Sequence, residues 1–401
     1  MRLRCLYWRT IVTLPVLIAV HGCGDNTPAG LGDDGPDPDL GVALCTPVGV
    51  TSGWSFSHLG AGKKPALAID EGNNLHAAFI DESTDGWVHY VQLPSGSTVA
   101  GEPETVADGY LYGPIDLLIA ADGQPRVFYH DHTAGDQVME LRSSAGDWSL
   151  QPMPNQGHDG WYNTAVLGQD GTIHTATYDP SGFSGLSVNY GVWSGTAWSV
   201  ELAAPGSFDY AGGMAIAQTA DGRVHIAFFD DVAGEIRIAS RNGPDDWAVS
   251  TVESAGNNLE AGRFPDMVVD RDGASLHLVY LVRSTEDVGM VRYAHGLADA
   301  LEIRDVTGVT DITIGFSGAR DLATLALDAS GRPLVSVQTL TRMELLRITD
   351  IAATEIASFE AAPGVTFGQH TEIAVDGGGR THIVWWQSGD PPGAICHAVS
   401  G

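Results

Sequence analysis

Thr219-Ala-Asp-Gly-Arg-Val-His-Ile-Ala-Phe-Phe-Asp-Asp231 is the stretch that decides the fold, because the chain repeats this pattern with variations. Clear copies run from Glu71 to Asp81 and from Gln169 to Asp179, and a shorter copy runs from Asp122 to Asp131. The histidine of the motif, or the residue that replaces it, recurs every 48 to 57 residues, at His76, Arg126, His174, His225, His277, Leu334 and His382. A near-constant period of this length indicates a repeated supersecondary unit.

Each repeat contains short runs rich in Val, Ile, Phe, Tyr and Thr, separated by Gly, Asp and Asn. In the fourth repeat, Met214–Ala217 precedes the Asp-Gly turn, His225–Phe229 follows it, and Trp247 begins the last run. Such runs predict β-strands, and four short antiparallel strands per repeat form one blade of a propeller. The sequence therefore predicts an all-β fold, a seven-bladed β-propeller over residues 46–401.

The two ends of this region predict how the ring closes. The last repeat stops after its third strand, whereas Gly53–His58 resembles a fourth strand without a repeat of its own. We therefore expect the N-terminal strand to complete the last blade, which removes an exposed sheet edge. Cys45 and Cys396 flank this pairing, and in an oxidising compartment they are expected to form a disulfide; free thiols are the alternative.

The first residues have the composition of an export signal. Arg2, Arg4 and Arg9 precede an apolar run, Ile11–Val20, that is too short to span a membrane as a mature helix. The ending Val20-His-Gly-Cys23 resembles a bacterial lipobox. This predicts a lipoprotein-type signal peptide, with an ordinary secretory signal as the alternative.

In the lipoprotein reading, residues 1–22 are the signal peptide and Cys23 is the lipidated residue. Residues 23–45 are rich in Gly, Pro and Asp, cannot bury a core and predict an acidic tether. We therefore expect an exported protein that contacts the membrane only through its lipid and is attached to the cell envelope, at the outer membrane.

The net charge of −30, from 20 basic and 50 acidic residues, disfavours a nucleic-acid partner. The aspartates of the tether lack the spacing of a calcium loop, so we predict no cofactor and no metal. We expect a monomer with a glycan or an envelope protein as its partner.

Candidate ligand-binding residues lie in the loops between repeats, where copies differ. Aromatic rings beside charged groups are typical of sugar sites, because the rings stack on C–H faces while polar groups bond to hydroxyls. Packing of one aromatic residue between neighbouring blades is the alternative. The candidates in these loops are Tyr112, His158, Trp161, Tyr162, Tyr210, Arg263, Phe264, Arg320 and His370.

A second set follows the second strand of each of the first four repeats, at Asp81, Asp131, Asp179 and Asp230, with His130 and His132 beside Asp131. Carboxylates and imidazoles on one side of a ring suit cation binding or acid–base chemistry. The alternative is that each aspartate bonds the backbone of its own turn. The recurring histidine is expected to bond locally, to the backbone or to the turn aspartate of its blade.

The repeat and its trailing tryptophan resemble a broad group of exported bacterial propeller repeat proteins, over roughly residues 50–401. These are similar to sialidase-type propellers at fold level, but this chain lacks the Ser-x-Asp-x-Gly-x-x-Trp box and a clear arginine triad. The resemblance implies a fold and a surface location. We predict a binding or scaffold module, for carbohydrate among other ligands, rather than an enzyme; a glycan-cleaving hydrolase or lyase is the alternative.

Overall fold

The computed structural model describes residues 45–81, 86–109, 111–131, 136–153, 161–179, 187–205, 212–256, 258, 260–283, 288–313, 323–339, 341–349, 352–388 and 393–401. Within these ranges the side chains of 111–113, 136–138, 140, 141, 161, 179, 288, 307–313, 368 and 369 are not described. This part of the chain contains no helix with the length and hydropathy needed to cross a membrane.

The described residues form seven four-stranded antiparallel sheets, numbered here in chain order. Sheet 1 comprises β2 (Lys63–Ile69), β3 (Leu75–Asp81), β4 (Trp87–Leu93) and β5 (Glu104–Ala107), and sheet 2 comprises β6 (Leu111–Ile119), β7 (Pro125–Asp131), β8 (Asp136–Arg142) and β9 (Trp148–Pro152). Sheet 3 comprises β10 (Trp161–Leu167), β11 (Ile173–Asp179), β12 (Ser187–Trp193) and β13 (Trp198–Pro205). Sheet 4 comprises β14 (Met214–Gln218), β15 (Val224–Asp230), β16 (Glu235–Gly243) and β17 (Asp246–Ser254).

Sheets 5 to 7 have the same order, except that the strand nearest the N-terminus joins the last sheet. Sheet 5 comprises β18 (Glu260–Val269), β19 (Leu276–Arg283), β20 (Val288–Leu297) and β21 (Ala300–Thr313). Sheet 6 comprises β22 (Ala323–Leu327), β23 (Pro333–Gln338), β24 (Arg342–Ile348) and β25 (Ala353–Glu360). Sheet 7 comprises β26 (Thr366–Val375), β27 (Thr381–Ser388), β28 (Ala394–Ser400) and β1 (Trp54–Ala61). The arrangement is a β-propeller, as the repeat predicted.

The Asp-Gly turn of the motif joins the first and second strands of a sheet. In sheet 4, Asp221 Oδ1 accepts hydrogen bonds from the Thr219 hydroxyl at 2.6 Å and from the Arg223 amide at 3.1 Å. Gly222 adopts φ of +83°, a left-handed conformation that glycine tolerates without strain. The motif is therefore the sequence of a tight hairpin. The hairpin places His225, three residues after Gly222, in the second strand.

The hydrophobic core lies between neighbouring sheets. The second strand of each repeat packs on both faces, so that every residue of β15 is buried. Apolar clusters fill the interfaces between consecutive sheets and also between sheet 7 and sheet 1. The first strands contact one another in sequence, and β26 contacts β2, so these strands surround the centre.

Closure follows the predicted route. β1 pairs antiparallel with β28, from Trp54 opposite Ser400 to Ala61 opposite Ala394. The predicted disulfide between Cys45 and Cys396 is confirmed, with a Cα–Cα distance of 5.2 Å. Both cysteines are fully buried in the cluster between sheets 6 and 7. The N-terminal segment is thus held by both hydrogen bonds and a covalent bond.

Candidate functional site

The first strands of several sheets begin with a bulge in which the backbone is strained. Lys64, Tyr162 and Phe264 have φ values of 55°, 54° and 51°, and the corresponding residue of sheet 4 is Gly213, with φ of 68°. The pairing register with the second strand shifts at these points. A left-handed residue other than glycine costs about 1–3 kcal/mol. Such bulges redirect the side chains that follow them.

Directly after the bulges, the first strands enclose a cavity of about 260 Å³. Its polar lining comes mainly from side chains at corresponding positions of different sheets, which are Asp116, Thr164, Asp266, Thr324 and Glu372. The side-chain amide of Asn163, next to Thr164, adds to this lining. Pocket volumes for small ligands are typically about 300–1,000 Å³. At about 260 Å³ the cavity lies just below this range, so it suits a single small ring or the end of a chain.

Asp116 and Asp266 occupy the same position in sheets 2 and 5 and make the same contacts. Oδ1 of each accepts a hydrogen bond from the next residue's amide at 2.7 Å. Asp116 Oδ2 accepts a bond from the Ala165 amide of sheet 3 at 2.7 Å, and Asp266 Oδ2 accepts one from the Leu325 amide of sheet 6 at 2.6 Å. Both carboxylates therefore join one sheet to the next and hold a fixed orientation.

Burial raises the pKa of the Asp116 carboxyl to about 6. The hydrogen bonds from Ala165, Leu117 and Thr164 oppose this shift, and the negative charge of Asp266 adds to it. The cavity therefore has an electrostatic environment in which a further negative charge is unfavourable, and hydrogen-bond donors or cations are favoured.

Two other polar groups of the cavity lack a protein partner among the described residues: Oδ1 of Asn163 and Oγ1 of Thr324. Asn163 is 6% exposed and Thr324 is 3% exposed. The Asn163 amide is fixed from its other end, because Nδ2 donates a hydrogen bond to the Pro114 carbonyl at 3.3 Å. A buried polar atom without a partner costs roughly 1–3 kcal/mol, so both atoms are sites where a ligand can add a hydrogen bond.

Tyr162 and Phe264, two of the predicted aromatic residues, line this cavity but are only 4% and 3% exposed. Tyr162 packs edge-on against Tyr178, with ring centroids 6.0 Å apart. Phe264 belongs to the cluster between sheets 5 and 6. Because their rings pack between sheets, as the alternative interpretation held, little ring surface is left for stacking on a sugar.

Arg263 and Asp230 are held by neighbouring charges. Arg263 forms an ion pair with Glu260, which also binds Arg283, and its guanidinium lies 5.3 Å from the Phe229 ring centroid. Asp230 is buried and accepts bonds from Arg237 at 3.0 Å and from the amide of its own turn at 3.1 Å. These contacts agree with the structural interpretation of the aspartates.

The structure places the other candidates less fully. His130 and His370 are 2% and 5% exposed, and Asp131 is half-buried at the end of β7. Tyr112, Trp161 and Asp179 have described backbones in β6, β10 and β11, but their side chains are not described. Cys23, His132, His158, Tyr210 and Arg320 lie outside the described residues.

The recurring histidine contacts its turn aspartate in some sheets, as expected, and in sheets 1, 3 and 4 it also contacts a hydroxyl of the third strand. His76 Nδ1 lies 2.5 Å from the Tyr90 hydroxyl and Nε2 lies 3.1 Å from the turn carboxylate of Asp70. His174 makes the same contact with Tyr190 at 2.5 Å. Burial lowers the pKa of His76 and of His174, which keeps these imidazoles neutral. Their role is to connect the turn to the third strand.

The acidic residues of the first strands were not among the candidates predicted from the sequence, which lie in the loops. In each sheet, one residue of the first strand pairs with the motif position of the second strand. Two positions before that residue stand Asp116 in sheet 2, Asp266 in sheet 5 and Glu372 in sheet 7. Alignment of the repeats at this position would have found them, because carboxylates stand there in an otherwise apolar strand.

No protein-family profile and no curated protein matches the chain. Similar solved structures include the BP39L lectin from Burkholderia pseudomallei, with 13% identity and a TM-score of 0.57 over 85% of this chain and 98% of the lectin. A PL25 ulvan lyase has 10% identity and a TM-score of 0.55, over 86% and 95% of the two chains. The Aleuria aurantia lectin, in complex with Fucalpha1-6GlcNAc, has 13% identity and a TM-score of 0.51, over 77% and 99%. At these identities the likeness shows the fold alone.

Proposed function

We propose that this protein is a carbohydrate-binding module whose ligand enters the central cavity. The observation that carries the proposal is a pair of buried polar atoms without a described protein partner, Asn163 Oδ1 and Thr324 Oγ1, on two residues that line the cavity. Together with the fixed carboxylates of Asp116 and Asp266, they form a rigid set of hydrogen-bond acceptors with one hydroxyl donor. Sugar hydroxyls donate and accept in this way.

The fold supports a ligand of this class. Two of the similar structures are lectins, one of them in complex with a fucosyl disaccharide. The size of the cavity suits a monosaccharide or the end of a glycan chain rather than a polymer passing through it. We infer that the seven sheets are seven blades of one closed ring, since apolar clusters join every consecutive pair and join the last sheet to the first.

Binding is favoured over catalysis because the acidic groups at the cavity are engaged in holding the ring together. Both oxygens of Asp116 and both oxygens of Asp266 accept backbone hydrogen bonds. Each oxygen keeps a second lone pair that can accept from a ligand hydroxyl, but the backbone bonds hold the carboxylate in place, whereas a nucleophile must be able to approach carbon. The carboxylates serve better as rigid acceptors.

A glycan array with the purified protein, followed by calorimetry with the best ligand, tests this function. Thr324→Val removes the hydroxyl at nearly constant shape and is expected to weaken binding about tenfold, the equivalent of about 1.4 kcal/mol. Thr177→Val is the matched control, because Thr177 Oγ1 is also buried without a described partner but lies away from the cavity. Equal affinities of the two variants and the unchanged protein would exclude the cavity as the site.

A glycan-cleaving enzyme is the second candidate. The raised pKa of Asp116 favours it, because an acid that titrates near neutrality can exchange protons with a substrate. The similar structures also include a polysaccharide lyase. A screen for release of reducing ends or unsaturated products from polysaccharides tests this reading, and activity that Asp116→Asn abolishes would replace the binding proposal.

We also propose that the protein is anchored to the cell envelope through lipidated Cys23. The support is the sequence of the first residues, since they lie outside the described part of the chain. Metabolic labelling with a fatty-acid analogue is expected to mark the protein but not a Cys23→Ser variant. A scaffold that binds an envelope protein would instead be recovered with its partner even when Thr324 is replaced.

A further inference from the structure

A second group of polar side chains lies where the turn after β18 meets β20, apart from the residues that line the central cavity. Asp270, His277 and His295 each direct one donor atom to the same point, and these atoms lie within 4.8 Å of one another. Asp270 Oδ2 is 3.4 Å from His295 Nε2 and 3.6 Å from His277 Nε2. The two imidazoles are directly opposite in the β19–β20 pairing and are stacked, with centroids 4.3 Å apart.

Hydrogen bonding leaves this group unsatisfied. His277 is 3% exposed, and within the described chain neither its Nε2 nor that of His295 has a hydrogen-bond partner. His277 Nδ1 is 2.5 Å from the Tyr293 hydroxyl. The Tyr293 hydroxyl can donate to Nδ1 or accept from it, and when Nδ1 carries the proton the Nε2 lone pair is available to a metal ion beside the Asp270 carboxylate.

Three other sheets also have an aspartate at the position of Asp270, and in each of them the residue two positions before the motif position donates to that aspartate. In sheet 7, Arg380 Nε donates to Asp376 Oδ2 at 2.7 Å, and in sheet 6, Arg332 Nε donates to Asp328 Oδ2 at 2.9 Å. In sheet 1, Asn74 Nδ2 donates to Asp70 Oδ2 at 2.9 Å. Sheet 5 has Ser275 at this position, and its hydroxyl bonds Asp272 instead.

Sheet 5 also differs at the residue opposite the motif histidine. Across from His76 stands Gln92, across from His225 stands Ser240, and across from His382 stands Val399, whereas His277 faces His295. Sheet 5 therefore has Ser275 where sheets 1, 6 and 7 have a donor to the aspartate, and it has the imidazole of His295 opposite the motif histidine. Each change alone leaves a polar group unsatisfied; together they create three converging ligands.

The geometry points to a transition-metal site of the zinc class, formed by Asp270, His277 and His295. Zinc binds imidazole nitrogen and carboxylate oxygen at about 2.0–2.2 Å, so neighbouring ligand atoms of a tetrahedral site are roughly 3.3 Å apart. The observed 3.4 Å and 3.6 Å are close to this spacing. Calcium and magnesium prefer sites made of oxygen ligands alone, and a site with two imidazoles does not suit them.

The surroundings complete such a site. The Tyr293 hydroxyl holds the ring of His277 through Nδ1, as outer-sphere partners of metal ligands do. The group opens on a cavity of about 300 Å³ that Arg304 and Arg332 also line. The remaining coordination position is therefore accessible to water or to a small anion such as a carboxylate.

The test uses tag-free full-length protein, because an affinity tag made of histidines would bind the same metals. After removal of metals with a chelator, calorimetric titration with Zn²⁺ is expected to show one equivalent bound, with no heat from Ca²⁺ or Mg²⁺. Titration with Co²⁺ is expected to give the intense visible absorption of a four-coordinate site. Binding of Zn²⁺ should also raise the Tm, because it favours the folded state.

His295→Gln places the residue of sheet 1 at this position and is expected to weaken Zn²⁺ binding by at least about tenfold. Asp270→Asn tests a second ligand in case the first variant does not fold, and Tm values measured in chelator show which variants are intact. Asp70→Asn, the same change in sheet 1, is the control and should bind Zn²⁺ normally.

The proposal would be overturned if the unchanged protein did not bind Zn²⁺. It would also be overturned if His295→Gln and Asp270→Asn bound Zn²⁺ with the affinity of the unchanged protein. In that case direct contact between His295 and Asp270 satisfies the group. The outcome is independent of glycan binding, because Thr324 and the central cavity are unchanged in these variants.

Discussion

The carboxylate of Asp116 accepts a hydrogen bond at 2.7 Å from the amide of Ala165, a residue of the next sheet. Asp266 and Leu325 repeat this relationship three sheets later. In both cases a carboxylate of one first strand bridges to the backbone of the first strand of the next sheet. The cost of burying this group is visible in the raised pKa of Asp116, and the result is a carboxylate that lines the cavity in a fixed position.

Replacement of Asp116 by Asn is expected to change how stability depends on pH. The folded-state pKa of about 6 lies above the ordinary value of 3.8, so between these values the folded protein binds more protons than the unfolded chain. Stability from this group is therefore present at pH 4 and lost as pH rises through 6. The loss is on the order of 3 kcal/mol.

Urea unfolding at pH 4 and pH 7.5 measures this effect. Relative to the unchanged protein, Asp116→Asn should become more stable at the higher pH by about 1–3 kcal/mol. Comparison of the two proteins at each pH cancels the contribution of the other carboxylates. The same difference in unfolding free energy at both pH values would show that Asp116 does not titrate in this range.

His397 is expected to act in the opposite direction. Burial, together with the neighbouring His382 and Arg380, lowers its pKa to about 3. The unfolded chain takes up a proton below about 6.5 while the folded protein does not, so stability is lost as pH falls from 6.5 towards 3. His397→Gln should reduce the loss between pH 7 and pH 5 by about 2 kcal/mol.

Chemical unfolding of the His397→Gln variant at these two pH values is the measurement. His295→Gln is a suitable comparison, because His295 is 38% exposed and burial does not isolate it from solvent to the same degree. An undiminished loss of stability in His397→Gln would mean that other groups cause the acid sensitivity.

Removal of the disulfide is expected to destabilise the protein strongly. Cys45 and Cys396 are 351 residues apart in sequence, and the bond restricts almost the whole unfolded chain. The chain-entropy account gives a stabilisation on the order of 5 kcal/mol for a loop of this size. Cys45→Ser and the double Cys45→Ser/Cys396→Ser variant should have similarly lowered Tm values, and a reducing agent should lower only that of the unchanged protein. A Tm insensitive to all three treatments would contradict this account.

The strained bulge at Lys64 predicts a stabilising substitution. Lys64→Gly is expected to raise the unfolding free energy by about 0.5–1 kcal/mol, because glycine adopts φ of 55° without the clash of a Cβ atom. Lys64→Ala removes the same charge and chain but keeps the clash, so it is the control. A glycine variant less stable than the alanine variant would show that the bulge carries little strain.

The sequence predicted the architecture well, because turns and strand periodicity are local properties. Trp54 could be recognised as the start of an orphan strand, and the partner of Cys45 followed from the chain closure. The orientation of Tyr162 and Phe264 could not be predicted in this way. Nothing in an aromatic residue favours a left-handed backbone, and it is the surrounding sheets that impose this conformation and bury both rings.

The cavity was missed for a related reason. Asp116 and Asp266 lie far apart in sequence, and each appears as a single charge in an apolar strand. Their common role depends on the amides of Ala165 and Leu325, which only the assembled sheets bring within reach. The group of Asp270, His277 and His295 likewise becomes visible only when the register of β19 and β20 is known.

The pairing of β1 with β28 has a consequence for biosynthesis. The first strand of the propeller to be made finds its partner only when the final residues, Ala394–Ser400, have been synthesised. Until then sheet 7 has an open edge and Cys45 has no partner thiol, so an incomplete chain is exposed to aggregation. Sheet 7 can therefore be completed only after β28 has been synthesised, so the protein depends during synthesis on keeping β1 and Cys45 from other partners.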